Sequence, residues 1–426
     1  MNIWILNHYA VPQQYYYLSR SYNFAKQLMA RGDIVTIFAA SSVHNSDVNL
    51  ITDGSEYREM DEDGIHYVLF HGRQYEGTGK DRVINHIDVA LKMDRLCPKF
   101  CKKFGNPDVI FASAGQSLTL VAGIRLAKKL KVKCISEVTD LWPESFVAYG
   151  LISKGNPLLK LLYKGEKWIY TKSDAVIFSM EGGRDYIIEK GWDTRHGGPV
   201  DLSKVYHINN GVDLEQFDYN REHYTFADID LDDPNSFKVV YAGSIRKVNQ
   251  VGILVDVAEE LKKRDPACRI KILIYGTGDE QAPLKQEAKE KELENIIFKD
   301  NAEKKFIPYI LSKSDLCLLH CQPTPISKYG MSLNKSFEYM AAGKPILMNF
   351  KAAYDYIEKN GCGWARDLTD PSLYADAMVA FLHMKEEDDK EYGEYRMSSR
   401  RTAQKYDIKT QTSILVSVFN RHISRC

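Results

Sequence analysis

Between Ser327 and Ile346 the chain reads SKYGMSLNKSFEYMAAGKPI, and two charges in it, Lys335 and Glu338, stand in a segment that otherwise has a buried, helix-forming character. Ser332 or Asn334 is the expected cap, and Gly343 with Pro345 stops the helix near Ala342. A lysine in the first turn opposes the helix dipole at about 0.3 to 1 kcal/mol, a penalty that a bound anion relieves. Glu338, about one turn beyond Asn334, is placed to accept hydrogen bonds from ribose hydroxyls while the N-terminal amides and Lys335 take a diphosphate. In the competing reading Lys335 is solvated and Glu338 pairs with a neighbouring base. Spacing leaves the two even.

Other strand-end loops offer matching chemistry. YAGSIRKVNQVG sets Gly243 at the end of an apolar run and follows it with Arg246 and Lys247. A glycine there admits a phosphate close to the backbone, and two cations stabilise a departing diphosphate. The plainer alternative is a tight turn with solvated side chains. IYGTGDE repeats the arrangement with Gly276 and Gly278, a weak motif by itself. KDNAEKKF, another such loop, either contacts a base or ribose or, as most such turns do, only connects elements. In SEVTDLWPESFVAYG, Asp140 follows a strand and Glu144 closes an ordered Trp142-Pro143 turn. Asp140 there either orients an acceptor hydroxyl or caps the next helix. NHYAVPQQYYYLSR brings Tyr16 and Arg20 after the first strand, suited to a carbohydrate face, a lipid diphosphate, or domain packing.

The elements that position these loops follow from periodicity. Short Val- and Ile-rich runs alternate with longer amphipathic segments, the pattern of parallel strands covered by helices. NIWILN, IVTIFAA, IHYVLF, DVIFASA, VKCISEV, DAVIFSM and KVYHIN serve the first half. FKVVYAG, RIKILIYG, NIIFKD, SDLCLLH and KPILMN serve the second. Each half has enough strands for its own doubly wound sheet, with ligands at the carboxyl ends of the strands. A chain of 426 residues holds two such cores. The expected division is a first domain over 1–213, a polar, acidic linker over 214–236, a second domain over 237–403, and a terminal helical segment over 404–426.

The 57 basic and 57 acidic residues cancel, so no global field argues for a nucleic-acid partner, and any anion site must be local. Eight scattered cysteines without metal-site spacing read as reduced thiols. The N-terminus lacks a signal-peptide pattern, and no run of eighteen apolar residues occurs, which together point to a cytoplasmic protein. NPLLKLLYKGEKWIY and DRVINHIDVALKMDRLCPKFCKKF have stripes that fit either a membrane surface or an ordinary covering helix.

YGMSLNKSFEYMAAGKPI, VYHINNGVDLEQF and TDLWPES together resemble the family-four retaining glycosyltransferases of the GT-B fold. Within that family the likeness is to the bacterial branch that builds cell-surface polysaccharides and includes N-acetylfucosamine transferases. The resemblance implies an α/β architecture of two Rossmann-like domains facing a cleft, with a C-terminal helix returning to the first domain. It implies acceptor binding in the first domain and nucleotide-sugar binding in the second. By this likeness Arg246 and Lys335 take the leaving diphosphate, with Gly243, Lys247, Gly276, Gly278, Gly330, Met331, Ser332, Asn334 and Glu338 around the donor. Tyr16, Arg20, Asp140 and Glu144 meet the acceptor, and Asn210, Gly211 and Asp213 form a structural turn. The chain departs from the family pattern in four places: Gly330 stands where many relatives carry a glutamate, Leu333 where the narrower branch has proline, Arg246 and Lys247 are shifted from the usual spacing of the basic pair, and QQYYY replaces the glycines common in the first loop.

The activity so implied is transfer of a sugar, an N-acetylated hexosamine or deoxyhexosamine, from a UDP-sugar to a lipid-linked saccharide in O-antigen or capsule biosynthesis. No metal or other cofactor is expected, and the implied location is the cytoplasmic face of the bacterial plasma membrane. A nucleotide-sugar epimerase of the same fold and a non-catalytic sugar-nucleotide-binding subunit are the alternatives.

Overall fold

A computed structural model describes residues 1–16, 19–44, 46–75, 77, 79–114, 116–387 and 389–423. The chain forms two compact units, one of Met1–Asn209 with Ile408–Cys426 and one of Asn210–Asp407.

The first unit opens β1 (Asn2–Leu6), α1 (Ser19–Ala30), β2 (Ile34–Ala40), β3 (Tyr57–Glu62), β4 (Ile65–Phe70) and α2 (Lys80–Phe104). It continues with β5 (Val109–Ala114), α3 (Ser117–Leu130), β6 (Lys133–Val138), α4 (Glu144–Ala148), α5 (Pro157–Lys172), β7 (Ala175–Phe178), α6 (Gly183–Glu189) and β8 (Val205–His207). The second unit holds α7 (Leu214–His223), β9 (Phe237–Ala242), α8 (Ile253–Arg264), β10 (Ile270–Tyr275), α9 (Gln281–Glu290), β11 (Ile296–Lys299) and α10 (Ile307–Lys313). After these come β12 (Leu316–Leu319), α11 (Asn334–Ala341), β13 (Ile346–Met348), β14 (Gly363–Ala365), α12 (Pro371–Glu387) and α13 (Asp389–Lys405), before α14 (Ile408–Ile423) rejoins the first unit.

The first sheet runs β3-β4-β2-β1-β5-β6-β7-β8 and the second β11-β10-β9-β12-β13-β14. Every pairing is parallel except β3 with β4. β3 and β14 were not among the expected strands. β3 is YREMDE, a charged edge without a buried residue, and β14 has only three residues. Neither presents the apolar run that marks a buried parallel strand.

In the first unit α2, α3 and α5 lie side by side on one face of the sheet, while α1 and α14 pack together on the other. Ile408, Leu415, Val416, Val418 and Phe419 of α14 join Ile3, Ile5, Phe24 and Phe111 in one core. In the second unit the period-two alternation of β9 is plain. Val239 and Tyr241 face a core shared with α8 and α12, and Val240 and Ala242 face one shared with α10 and α11.

The stretch over 214–236 is ordered within the second unit. Asp213 caps α7 by accepting from the Gln216 amide at 3.0 Å. The acids that give it a linker-like polarity are paired: Asp228 and Asp230 meet Lys299 at 2.7 and 2.6 Å, and Asp233 meets Lys271 at 3.0 Å. Asp228 also accepts from the Tyr275 hydroxyl at 2.7 Å, and Leu231 is buried. At the far end α13 stops at Lys405, and α14 starts only at Ile408. Asp407 between them pairs with Val212.

Candidate functional site

Three glycines follow the strand ends of the second unit, and they do different work. A Cβ on Gly276 would fall 1.9 Å from the Gly243 carbonyl oxygen, and one on Gly278 would fall 2.0 Å from that of Ile245. Both glycines therefore serve the contact of one loop backbone with the next, which the Gly243 and Ile245 amides seal by donating to the Tyr275 and Thr277 carbonyls at 2.9 Å. At Gly243 a Cβ would meet the Lys335 side chain instead, 2.8 Å from Cδ and 3.1 Å from Nζ. The missing side chain makes room for the lysine.

Lys335 lies in that space, with Nζ donating to the Tyr241 hydroxyl at 3.0 Å and sitting 4.5 Å from the centroid of the same ring. The hydroxyl in turn donates to the Ser244 carbonyl at 2.7 Å. Among the described residues no carboxylate pairs with this ammonium. Burial pulls its pKa down to about 8, the weak opposing influence being Cys321. His320, at the end of β12, is buried with Nε2 2.6 Å from the Tyr374 hydroxyl. Burial and then Lys335 push its imidazole down to about 3, so it stays neutral beside the cation. Sequence reasoning missed His320, since only a strand-end position marked it.

α11 begins at Asn334, and the residue in the cap position is Leu333, which has no side-chain acceptor. The expected caps are corrected. The Ser332 hydroxyl is occupied in accepting from the Asn210 amide at 2.9 Å, and the Ser332 carbonyl accepts from the Asn210 side chain at 2.8 Å. Asn334 is the exposed first helical residue. Asn210 thus fixes the entry to the helix, and Tyr339 pins its body by accepting from the Ala242 amide at 3.0 Å. Gly330 has φ +91°, and buried Met331 follows it. A glutamate at position 330 would be strained in that left-handed conformation.

Glu338 is ion-paired with Lys304 from the KDNAEKKF loop after β11. The reading of Glu338 beside a neighbouring base describes the structure as it stands. Arg246 and Lys247 are both exposed, and the Arg246 side chain has no hydrogen bond or ion pair among the described residues. Lys247 borders a cleft of about 410 Å³ that Asp256, Glu280, Gln322 and Asn349 also line. Asn249 braces this loop by donating to the Ser244 carbonyl at 2.7 Å.

In the first unit the four expected acceptor residues separate. The Arg20 guanidinium donates to Glu137 at 2.7 and 3.0 Å and to the Ile208 and Asn209 carbonyls at 2.8 and 2.7 Å. That buried tie makes Arg20 a structural residue. Glu144 accepts from Tyr163 and Lys190, each at 2.5 Å. Burial works to raise its carboxyl, and those two partners outweigh it and hold the pKa low. Asp140 is exposed, without a hydrogen bond or ion pair among the described residues. Tyr16 is half-buried, edge-on to His44 at 5.8 Å between ring centroids. Its neighbour Tyr17 lies outside the described residues.

Beside Tyr16 is a cluster that sequence reasoning missed. The Tyr9 hydroxyl lies 2.9 Å from His86 Nε2 and accepts from Arg82 at 3.0 Å. His44 and Tyr75 are 3.1 Å apart, and His8 stacks edge-on against His86 at 4.7 Å. Burial, then Arg82 and His44, push His86 down to about 4. Burial and His86 likewise keep His8 neutral. Burial raises the Tyr9 phenol, Arg82 opposes the rise, and Asp140 adds to it, which links Asp140 to this cluster. Tyr9 and His8 stand in the quoted NHYAVP loop, but Arg82 and His86 arrive from α2, beyond the reach of any local motif.

Residues 236–384 match the family model described as glycosyl transferases group 1, and residues 20–216 match that of glycosyltransferase family 4. No curated protein matches the sequence significantly. Among solved structures the chain is similar to sucrose-phosphate synthase from Thermosynechococcus elongatus, with a TM-score of 0.70 at 14% identity over 100% of both chains. It is similar to Anabaena Alr3699/HepE in complex with UDP, with a TM-score of 0.65 at 14% identity over 99% of this chain and 100% of the other. An α,α-trehalose-phosphate synthase (UDP-forming) from Burkholderia vietnamiensis gives a TM-score of 0.72 at 12% identity over 100% and 99%. At these identities the likeness is one of fold.

Proposed function

Since the chain is a glycosyltransferase of the group 1 and family 4 type with the GT-B fold, we propose that it moves a sugar from a UDP-sugar to a lipid-linked saccharide. The sugar is an N-acetylated hexosamine or deoxyhexosamine, as in the N-acetylfucosamine transferase branch. The product belongs to O-antigen or capsule assembly at the cytoplasmic face of the membrane. The reaction retains the anomeric configuration and needs no metal.

The observation that carries this reading is Lys335, a desolvated ammonium without a carboxylate partner among the described residues, held over Tyr241 at the uncapped start of α11. Such a place suits a diphosphate, whose charge both the lysine and the free amides would neutralise. Gly243 keeps the space open, and Gly330, Met331, Ser332 and Asn334 shape the approach. Gly276 and Gly278 hold the loop that Gly243 begins. Arg246 and Lys247 add positive charge, and Glu338 exchanges Lys304 for the ribose hydroxyls. UDP in the neighbouring HepE structure agrees with a uridine nucleotide as the donor's leaving group.

The acceptor is met by Asp140 with the Tyr9, Arg82 and His86 cluster and Tyr16. The bond from the anomeric carbon to the diphosphate oxygen breaks, and the acceptor oxygen bonds on the same face. The acceptor proton passes to the departing phosphate, so Asp140 orients the hydroxyl rather than removing its proton. The deciding experiment follows UDP release from a panel of UDP-sugars with and without a lipid-linked monosaccharide, and with EDTA. Acceptor-dependent release that survives EDTA is expected. Donor isomerised without release would instead mark an epimerase, and donor binding without turnover a non-catalytic subunit.

A further inference from the structure

Exposure on the α2, α3 and α5 layer follows an unusual rule. On α2 the exposed positions are Lys80, Val83, Ile84, Ile87, Leu91, Arg95, Lys99, Lys102 and Lys103. On α3 they are Arg125, Lys128 and Lys129, and on α5 they are Pro157, Leu158, Lys160, Leu161, Lys164, Gly165, Trp168 and Lys172. In a chain with no net charge, no acid appears among them. The acids these helices do carry are engaged: Asp81 with Arg73, Asp88 with Lys92, Asp94 with Arg125 and Lys129, and Glu166 with the Tyr170 and Tyr186 hydroxyls. Lys80, Lys99, Lys102, Lys128, Lys160 and Lys164 have no ion pair among the described residues.

The apolar members are large and well exposed. Val83 is 54% exposed, Leu91 57%, Leu158 52% and Leu161 65%. They recur at helical spacing on α2 and on α5, with α3 and its cations between. Burying these side chains in a partner recovers hydrophobic free energy that water denies them, and the surrounding lysines decide which partner. A second copy of the same face would bring lysine against lysine. A nucleic acid would use the cations and leave the leucines wet. An anionic bilayer surface satisfies both, with aliphatic side chains and Trp168 at the acyl boundary and lysines among the headgroups. Among the described residues no helix is long and apolar enough to cross a membrane, so this contact is lateral.

We propose that the outer face of α2, α3 and α5 docks on an anionic lipid bilayer. The proposal deepens the reading of a lipid-linked acceptor and rests on that reading for its purpose. α2 links the two: Val83, Ile84 and Ile87 point outward from the same two turns whose Arg82 and His86 reach Tyr9. A saccharide carried on a membrane lipid would thus enter beside the surface that holds its anchor.

The test is flotation of the full chain with vesicles of phosphatidylcholine alone and of phosphatidylcholine mixed with phosphatidylglycerol. Flotation with the mixed vesicles, reversed by salt and accompanied by a blue shift of tryptophan emission, is the expected result. Ile87→Glu combined with Leu161→Glu should weaken it at least about tenfold. Both sites are exposed, so an unchanged melting temperature and unchanged transfer to a short-chain, water-soluble acceptor should accompany that loss. No binding to mixed vesicles, equal binding by the variant, or self-association through this face without lipid binding would overturn the proposal. Vesicle binding by a protein that transfers no sugar would uphold the surface and reject the functional reading instead.

Discussion

The ammonium of Lys335 is pulled two ways, because the desolvation that lowers its pKa to about 8 also sharpens its attraction for a phosphate. If its charge stabilises the leaving group, kcat/KM should fall by about tenfold per pH unit above pH 8. Folding stability should move oppositely. From pH 8 to 10.5 the folded state has shed the proton that the unfolded chain still binds, so stability rises with pH across that window. Lys335→Met should remove both trends, which pH-rate profiles and thermal melts at matched pH would check. A second pair of variants separates Glu338 from Lys304. A half-exposed ion pair contributes about 1 kcal/mol or less, so Lys304→Ala should change UDP affinity by less than about fivefold. Glu338→Gln, which weakens the ribose contact, should lose at least about tenfold by calorimetry. Equal losses would give the ribose to Lys304. Lys335 and Glu338 were both visible as charges in an apolar helix. Lys304 was not, nor were the partners that make Arg20 and Glu144 structural, because an ion pair between distant loops leaves no local mark in the sequence.

At the scale of elements, the three strand-end glycines predict three different phenotypes. Gly276→Ala and Gly278→Ala drive a methyl into the carbonyl of a packed neighbouring loop, at 1.9 and 2.0 Å, where neither backbone has room to shift. Each should lower the melting temperature by more than about 5 °C or prevent folding. Gly243→Ala meets the flexible stem of Lys335 instead, so it should fold with nearly native stability and lose turnover as the lysine moves aside. Melting curves with kinetics on the same preparations distinguish the cases. Strands were the most legible elements: an unbroken apolar run such as VVYA in FKVVYA marks a strand buried on both faces. The start of α11 was legible as a place and wrong in its cap. The side chain that wins Ser332 belongs to Asn210, more than a hundred positions earlier. β3 escaped because an edge strand has no need of an apolar pattern.

At the scale of the whole molecule, the unequal composition of the two units makes a prediction. The second is one continuous segment and contains every residue proposed to hold the donor, so residues 210–407 produced alone should fold and bind UDP. Residues 1–209 produced alone should not reach a native core, since Phe419 and the other apolar residues of α14 are missing from beside Phe111. Adding a peptide of residues 408–423 in trans should restore cooperative unfolding. Two α/β cores were readable from the rhythm of strands and helices. That the acidic stretch over 214–236 is seated by lysines on β10 and β11 was not, since polarity alone looks the same in a linker and in an ion-paired surface segment. The position of α14 also sets an order of assembly on the ribosome. The hydrophobic seat of α14 in the first unit must stay open while the whole second unit is made, so the first-made half is the last to be sealed. A chain cut short anywhere in between keeps that greasy seat on display, and quality-control proteases would recognise it as unfinished.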